Sequence, residues 1–151
     1  MSINLEEQYD KIYRYCYFKI HHKERAEDIT QETFLRFFKN DSRMENEEAM
    51  RFLYTIAHNL CVDEYRKRQN LALDDAMESL DSTEKVLTQI SVQNALEKLE
   101  PFERELLLLR YVNEIPISVI GKLQGISRFC IYRKITNATK KFKKYLEEEG
   151  I

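Results

Sequence analysis

Residues 117–142 read ISVIGKLQGISRFCIYRKITNATKKF. Apolar residues recur at steps of three and four up to Gln124 and again after Ser127, which predicts a short helix, a turn and a long helix. Gly125 suits the left-handed conformation that ends a helix, and Ser127 suits the position that caps the next one. Two helices joined by such a turn form a helix-turn-helix. We therefore predict a helix-turn-helix over this stretch.

This stretch also carries a strong positive charge, with eight basic and no acidic side chains from Lys122 to Lys144. A helix in the major groove of DNA uses residues of its amino end on base edges and flanking Lys or Arg on phosphates. Beside the cap Ser127, the predicted base contacts are Arg128, Phe129, Tyr132, Arg133, Thr136 and Asn137. The predicted phosphate contacts are Lys134, Lys140 and Lys141. A solvated basic face on a terminal helix is the alternative.

Helical periodicity also dominates residues 1–70, where three amphipathic patterns predict helices near 5–20, 25–38 and 47–68. The second helix is expected to bury Ile29, Phe34, Phe37 and Phe38. Only three Gly and two Pro interrupt the chain. Such a composition favours long helices and few turns. We therefore predict an all-α fold.

The net charge of −2 hides opposite local charges. Residues 71–100 carry seven acidic and two basic side chains, whereas residues 101–151 carry ten basic and six acidic ones. The acidic stretch 71–88 lacks a sustained apolar period and is typical of a flexible linker. We therefore expect two small helical domains, 1–70 and 89–151, joined by the acidic linker 71–88, with the second domain ending in the helix-turn-helix.

The third predicted helix carries a polar stripe that runs into a basic end. Asn59 and Asp63 lie four residues apart on one face, ahead of the basic residues Arg66, Lys67 and Arg68. Such a stripe is suited to one DNA strand, and aromatic neighbours such as Phe52 and Tyr54 are candidates for base stacking. A solvated helix end that complements the helix dipole is the alternative.

The cysteines and the remaining motifs narrow the class of protein further. Cys16, Cys61 and Cys130 have neither a disulfide pattern nor a zinc-ligand spacing, so we expect buried thiols in a reducing cytoplasm. The first residues indicate neither a signal peptide nor a membrane span. Neither a phosphate-binding Gly loop nor an HExxH motif is present. We expect a cytoplasmic protein that is not an enzyme and has no cofactor or metal.

Three stretches resemble a known family of transcription factors. AEDITQETFLRFF at 26–38 and RFLYTIAHNLCVDEYRKR at 51–68 resemble region two of extracytoplasmic-function sigma factors. LEKLEPFERELLLLRYVNEIPISVIGKLQGIS at 96–127 resembles their region four. The resemblance covers nearly the whole chain in the family's order. It implies a sigma factor that binds core RNA polymerase and promoter DNA and leaves catalysis to the polymerase. Members of this family are commonly held inactive by an anti-sigma factor, so the resemblance also implies such a partner.

The resemblance also implies sites. The polymerase contacts would be Asp28, Gln31 and Glu32, on the helix that grips a coiled coil of the polymerase's largest subunit. The minus-10 contacts would be His58, Asn59 and Asp63, with the basic end Arg66, Lys67 and Arg68. The loop 40–48 would capture a flipped-out base, and the helix after Ser127 would read the minus-35 element.

Several positions depart from the family pattern. Phe52 stands where Trp is common, and Phe129 replaces a usual Gly. Tyr132 replaces a basic residue, and Thr136 with Asn137 replaces a common His-Arg pair. These departures leave the promoter sequence open. A stand-alone helix-turn-helix regulator remains the alternative, and it would bind a palindromic site without polymerase.

Overall fold

The computed structural model describes residues 4–40, 46–70 and 83–150, and every regular element in these ranges is helical. The amino-terminal bundle consists of α1 (Leu5–Ile20), α2 (Lys23–Lys39) and α3 (Asn46–Asn70). The carboxy-terminal unit consists of α4 (Thr83–Lys98), α5 (Pro101–Leu107), a π-helical turn (Leu108–Val112), α6 (Ile117–Gln124) and α7 (Arg128–Glu148). The predicted all-α fold is confirmed.

Two consecutive histidines connect α1 to α2. His21 adopts a left-handed conformation with φ of 58°, and its backbone N–H donates to the Tyr17 carbonyl at 2.8 Å. The His22 ring then caps α2, because its Nδ1 accepts the Arg25 backbone N–H at 3.2 Å. The chain thus leaves one helix and enters the next within two residues. This short connection places α1 and α2 side by side.

The amino-terminal bundle packs around small and aliphatic side chains. Ile12, Ala26 and Ala57, one from each helix, are completely buried. Two of the predicted buried thiols, Cys16 and Cys61, also lie in this core. Small side chains at such contacts allow helix backbones to pack closely.

One predicted core residue is exposed. Phe38, in the last turn of α2, shows 59% of its surface to solvent. The rings of Phe34 and Phe37 occupy the inward side at this end of the helix, and Phe38 lies against both of them at 6.1 Å and 5.6 Å between ring centroids. The prediction that Phe38 is buried is therefore wrong. Three aromatic rings share this end of the helix, and only Phe34 is buried there, while Phe37 is partly buried.

The turn between α6 and α7 depends on two glycines and a serine. Gly125 ends α6 with φ of 69°. The Ile126 N–H donates to the Gly121 carbonyl at 3.0 Å, and a Cβ added at Gly121 would lie 2.7 Å from the Ile126 carbonyl oxygen. Ser127 Oγ accepts the Cys130 N–H at 3.2 Å and caps α7. Both helices and the turn lie at the predicted positions.

The predicted linker overlaps a helix. Because α4 begins at Thr83, residues 83–88 are helical, and the remaining part, 71–82, lies outside the described residues. The overlap has a physical reason, because α4 contains neither Gly nor Pro and more than half of its residues have high helix propensity. The start of the carboxy-terminal unit therefore lies earlier than residue 89.

The amino-terminal bundle and the carboxy-terminal unit pack against each other. The π-helical turn contacts α1, and α6 contacts α3. Asn113, which is 1% exposed, donates through Nδ2 to the Lys11 carbonyl at 2.6 Å and to the Tyr54 hydroxyl at 2.8 Å. A continuous apolar core runs from Ile12 to Ile120. The division into two domains stays a prediction.

Candidate nucleic-acid interface

The face of α7 that points away from the core collects the predicted base-contacting residues. Ile131, Ile135 and Ala138 are buried and fix the orientation of the helix against its neighbours. The side chains predicted to contact bases are all exposed, and they are Arg128, Phe129, Tyr132, Arg133, Thr136 and Asn137. Ser127 is also exposed, although its hydroxyl oxygen serves as the helix cap. The structure therefore brings these residues together at the amino end of one helix.

Two aromatic rings dominate this surface. Phe129 is 71% exposed and Tyr132 is 62% exposed. The Arg128 guanidinium lies 5.3 Å from the centroid of the Phe129 ring, within the range of a cation–π contact. The Thr136 hydroxyl is turned inward along the helix, where it donates to the Tyr132 carbonyl at 2.9 Å. The first two turns of α7 thus present aromatic and guanidinium groups to solvent.

The three lysines predicted to contact phosphates differ in their surroundings. Lys141 pairs with Glu103 of α5 at 2.9 Å, and this hydrogen bond raises the pKa of Lys141. Lys134 Nζ lies 5.7 Å from the centroid of the Phe102 ring. Lys140 is exposed. Because the ion pair is exposed on its lysine side, it contributes little to stability, and the positive charge stays at the surface.

The predicted minus-10 residues follow the outer side of α3. Asn59, Asp63, Arg66 and Lys67 are exposed. Arg68 differs from them, because its guanidinium donates to the Ile20 carbonyl at 2.7 Å and is partly buried there. The last carbonyls of a helix are favoured sites for cations. Arg68 therefore supports the end of α1, and the other four residues form the accessible stripe.

His58 faces the carboxy-terminal unit. Its Nδ1 lies 3.3 Å from the Tyr15 hydroxyl, 3.4 Å from Lys19 Nζ and 3.6 Å from Glu105 Oε1. Its side chain is nevertheless 47% exposed. His58 thus lies beside Asn59 at the edge of the stripe and at the contact between the amino-terminal bundle and the carboxy-terminal unit.

Glu105 of α5 is the centre of this contact. Lys19 Nζ lies 2.6 Å from Glu105 Oε2, and the Tyr15 hydroxyl donates to Oε1. Burial raises the pKa of Glu105, but hydrogen bonds from His58, Lys19 and Tyr15 and the positive charge of Lys19 outweigh it, so the pKa lies below its ordinary value. Burial and the neighbouring carboxylate raise the pKa of Tyr15 well above its ordinary value. Glu105 is therefore a buried anion with partners from the amino-terminal bundle.

The outer face of α2 holds the predicted polymerase contacts. Asp28 and Gln31 are exposed, and Glu32 is half-buried. Arg25 pairs with Asp28 at 3.1 Å, and Glu32 pairs with Arg36 at 2.9 Å. The ridge is acidic but partly neutralised by arginines of the same helix.

Two apolar residues extend this face and were missed by the sequence analysis. Leu35 is 57% exposed and Phe38 is 59% exposed. They follow Asp28 and Gln31 at helical spacing, and so lie on the same side of α2. The sequence analysis predicts that Phe38 is buried and assigns Leu35 neither to the core nor to a site. The α2 face therefore combines an acidic ridge with an apolar end.

The proposed base-capture loop 40–48 is only partly described, since residues 41–45 lie outside the described ranges. At its end, Glu47 pairs with Lys122 of α6 at 2.8 Å. Phe52 is half-buried against Phe37, with 5.8 Å between ring centroids. Tyr54 is 2% exposed and belongs to the core. Of the two candidate stacking rings, Phe52 alone has an accessible side.

Residues 5–71 match the sequence family Sigma-70 region 2. An extracytoplasmic-function RNA polymerase sigma factor of Bacillus subtilis, SigW, is 28% identical over 158 residues, which cover 92% of this chain and 84% of SigW. The corresponding factor BldN of Streptomyces coelicolor is 28% identical over 148 residues, which cover 87% of this chain and 56% of BldN. The chain is therefore similar to extracytoplasmic-function sigma factors over most of its length. The family match coincides with the amino-terminal bundle.

A solved sigma factor shares the fold. The structure of the sigma factor RpoE in complex with the anti-sigma factor NepR from Bartonella quintana matches with a TM-score of 0.67 and 18% identity. The match covers 92% of this chain and 91% of that chain. The likeness therefore extends over both the amino-terminal bundle and the carboxy-terminal unit.

Two further features concern the described ranges, 4–40, 46–70 and 83–150. Within those ranges, none of the helices combines the length and apolar character that a bilayer crossing requires. The described His, Cys, Asp and Glu side chains also form no group of three or more that a metal ion could use.

Proposed function

We propose that this protein is a sigma factor that binds core RNA polymerase in the cytoplasm and directs it to promoters through two DNA-reading surfaces. The minus-10 element would contact the stripe on α3, and the minus-35 element would contact the amino end of α7. The observation that carries the proposal is the two-sided character of α7. One side is buried, while the other holds exposed Phe129, Tyr132 and Arg133 among basic residues.

The minus-35 assignment is supported by charge and shape. All eight basic residues from Lys122 to Lys144 lie on α6 and α7, without an acidic residue between them along the chain. Phosphate attraction needs this charge, and base readout needs side chains at the amino end of the helix. Both requirements are met by the same exposed surface.

The minus-10 assignment is supported by the accessible stripe Asn59, Asp63, Arg66 and Lys67. Its amide and carboxylate suit the edges of unpaired bases, and its cations suit the backbone of a single strand. Phe52 lies on the same helix and has an accessible ring. Capture of a flipped base by the loop 40–48 remains a proposal that rests on resemblance.

The polymerase assignment is supported by the mixed character of α2. Its acidic ridge would provide specificity, and exposed Leu35 and Phe38 would provide apolar area. An anti-sigma factor that covers these surfaces is a further proposal, and the solved relative of the same fold is itself bound to one.

The proposed function requires the amino-terminal bundle and the carboxy-terminal unit to separate. Elements centred about 25 base pairs apart are roughly 85 Å apart in duplex DNA, at about 3.4 Å per base pair. A compact chain of 151 residues has a radius of gyration of roughly 15 Å. The packed arrangement is therefore too small to reach both elements at once. Separation would break the contacts of Glu105 and Asn113 across the interface.

The experiment that tests the proposed function is run-off transcription from a genomic promoter library with purified core RNA polymerase, with or without this protein. We expect initiation at a discrete set of promoters only when the protein is added. Specific duplex binding by the protein alone, without stimulation of polymerase, would favour a stand-alone regulator. The chemical step of transcription belongs to the polymerase in either case.

A further inference from the structure

The amino end of α7 carries an apolar surface that its basic surroundings do not explain. Phe129 is the most exposed of the large hydrophobic side chains in the described ranges, at 71%. Tyr132, one turn later, is 62% exposed. A single exposed ring needs no explanation. Two rings on adjacent turns of a helix whose other exposed side chains are charged or polar indicate a ligand with both anionic and apolar parts.

The orientation of α7 places these rings on its outward side. Ile131, Ile135 and Ala138 form the buried stripe. At 100° per residue, Phe129 lies nearly opposite this stripe, and Tyr132 lies beside it. The rings therefore point toward whatever binds the outer face of the helix.

The charge of α7 identifies the class of that ligand. From Arg128 through Leu146 the helix has no acidic residue, and Arg133, Lys134 and Lys140 share its exposed surface. An apolar protein partner would have to desolvate these cations without compensation. A DNA duplex neutralises them with phosphates, and its major groove also holds one apolar group, the C5 methyl of thymine.

Arg128 strengthens this assignment. Its guanidinium lies 5.3 Å from the Phe129 ring centroid. The stacked pair restricts both side chains, so that less rotamer entropy is lost on binding. The ring then lies beside a group that binds phosphate or guanine. Apolar and polar base contacts would be made side by side in the groove.

We infer that Phe129, flanked by Tyr132, reads thymine in the minus-35 element by packing its ring against the C5 methyl group. This inference rests on the proposed function, because it takes α7 to be the helix that enters the major groove. It adds a base preference that the family resemblance leaves open, since Phe129 stands where the family usually has Gly.

The test removes one methyl group at a time. Promoters found in the run-off experiment are rebuilt with uracil in place of each thymine of the minus-35 element, on one strand at a time. Binding of the complete polymerase complex with this sigma factor is measured by competition. We expect one or two positions at which uracil weakens binding about three- to fivefold, the effect of one buried methyl group.

The variant Phe129→Ala decides which side chain reads the methyl group. We expect it to weaken binding to the thymine promoter and to abolish the difference between thymine and uracil, as a coupled pair does in a double-mutant cycle. Phe129→Leu, which keeps an apolar side chain, should retain part of that difference. Tyr111→Ala is the matched control, because Tyr111 is an exposed aromatic residue of the π-helical turn.

Two results would overturn the inference. One is that uracil has no effect at any minus-35 position, and the other is that its effect persists undiminished in Phe129→Ala. Failure of the proposed function is a different result, since no promoter would then be selected with unmodified DNA. Polymerase binding by the Phe129 variants, measured in parallel, shows whether they are folded.

Discussion

The hydroxyl of Tyr15 in α1 donates a 2.5 Å hydrogen bond to the carboxylate of Glu105 in α5, which is 90 positions away in the sequence. Lys19 and His58 approach the same carboxylate. The contact joins the amino-terminal bundle to the carboxy-terminal unit through a mostly buried anion. Removing one partner of such a group leaves the others poorly satisfied, which costs more than the bond itself contributes.

We predict that Glu105→Gln lowers the free energy of unfolding by about 1–3 kcal/mol, because Lys19 and Tyr15 lose a charged acceptor. Urea denaturation of Glu105→Gln, Tyr15→Phe and the double variant gives the coupling energy. Glu27→Gln, at an exposed position of α2, is the control and should be neutral. Fully additive effects of the two substitutions would contradict the hydrogen bond.

Acid should weaken the fold through the same carboxylate. The pKa of Glu105 in the folded protein lies below its ordinary value of 4.5, so the unfolded chain binds the proton more readily. The stabilisation that ionised Glu105 contributes is therefore fully present above about pH 4.5. It is lost as the pH falls through the lower pKa that Glu105 has in the folded protein.

A second carboxylate acts in the same direction, since the hydrogen bond from Arg25 lowers the pKa of Glu64. Urea midpoints measured between pH 3 and pH 7 should therefore fall steeply in the wild type and less steeply, but still measurably, in Glu105→Gln. An identical pH dependence in both proteins would show that Glu105 is not the titrating group.

Polymerase binding and minus-35 recognition should be separable by substitution. Arg133→Ala removes a cation from the exposed face of α7 and should weaken minus-35 recognition while polymerase binding is retained. Asp28→Ala with Gln31→Ala should weaken polymerase binding and leave the α7 surface unchanged. Pull-down of core polymerase and competition with minus-35 variants measure the two activities. Equal losses in both measurements would contradict the assignment of surfaces.

The apolar end of α2 should matter for binding and not for stability. Leu35→Ala with Phe38→Ala removes side chains that are already exposed, so the free energy of unfolding should change by less than about 1 kcal/mol. Affinity for core polymerase should fall about tenfold or more if both rest in pockets of the partner. Tyr111→Ala, an exposed aromatic of the carboxy-terminal unit, is the matched control. Unchanged affinity would remove the apolar end from the proposed interface.

Separation of the amino-terminal bundle from the carboxy-terminal unit should be measurable by Förster resonance energy transfer between two dyes. Dyes attached at Asp10→Cys and Glu147→Cys, both exposed positions, report the distance across the interface in a chain carrying Cys130→Ser. We expect this distance to grow by tens of ångströms when the polymerase and promoter are bound. The control pair, Asp10→Cys with Lys39→Cys, lies within the amino-terminal bundle, so the distance between its two dyes should not change. A complex that initiates transcription with the first distance unchanged would refute separation.

Local patterns predicted the helices well. The cap at Ser127 and the left-handed Gly125 depend on residues within five positions, so the turn between α6 and α7 lies where the sequence indicates. The same local rules were insufficient for Phe38, because periodicity marks a residue as apolar without showing whether a neighbour covers it. They are also insufficient at the start of α4, where the acidic composition predicts a flexible linker although no helix breaker is present.

The sequence by itself determined the helical content, the charge of α7 and the residues on its outer face, because these depend on spacing along one helix. Only the tertiary structure decided that Arg68 supports the end of α1, that Leu35 and Phe38 are exposed, and that Glu105 joins the amino-terminal bundle to the carboxy-terminal unit. Contacts between residues 90 positions apart leave no periodic signal in the chain. They arise when packed helices bring a carboxylate out of water and next to the donors that compensate for its burial.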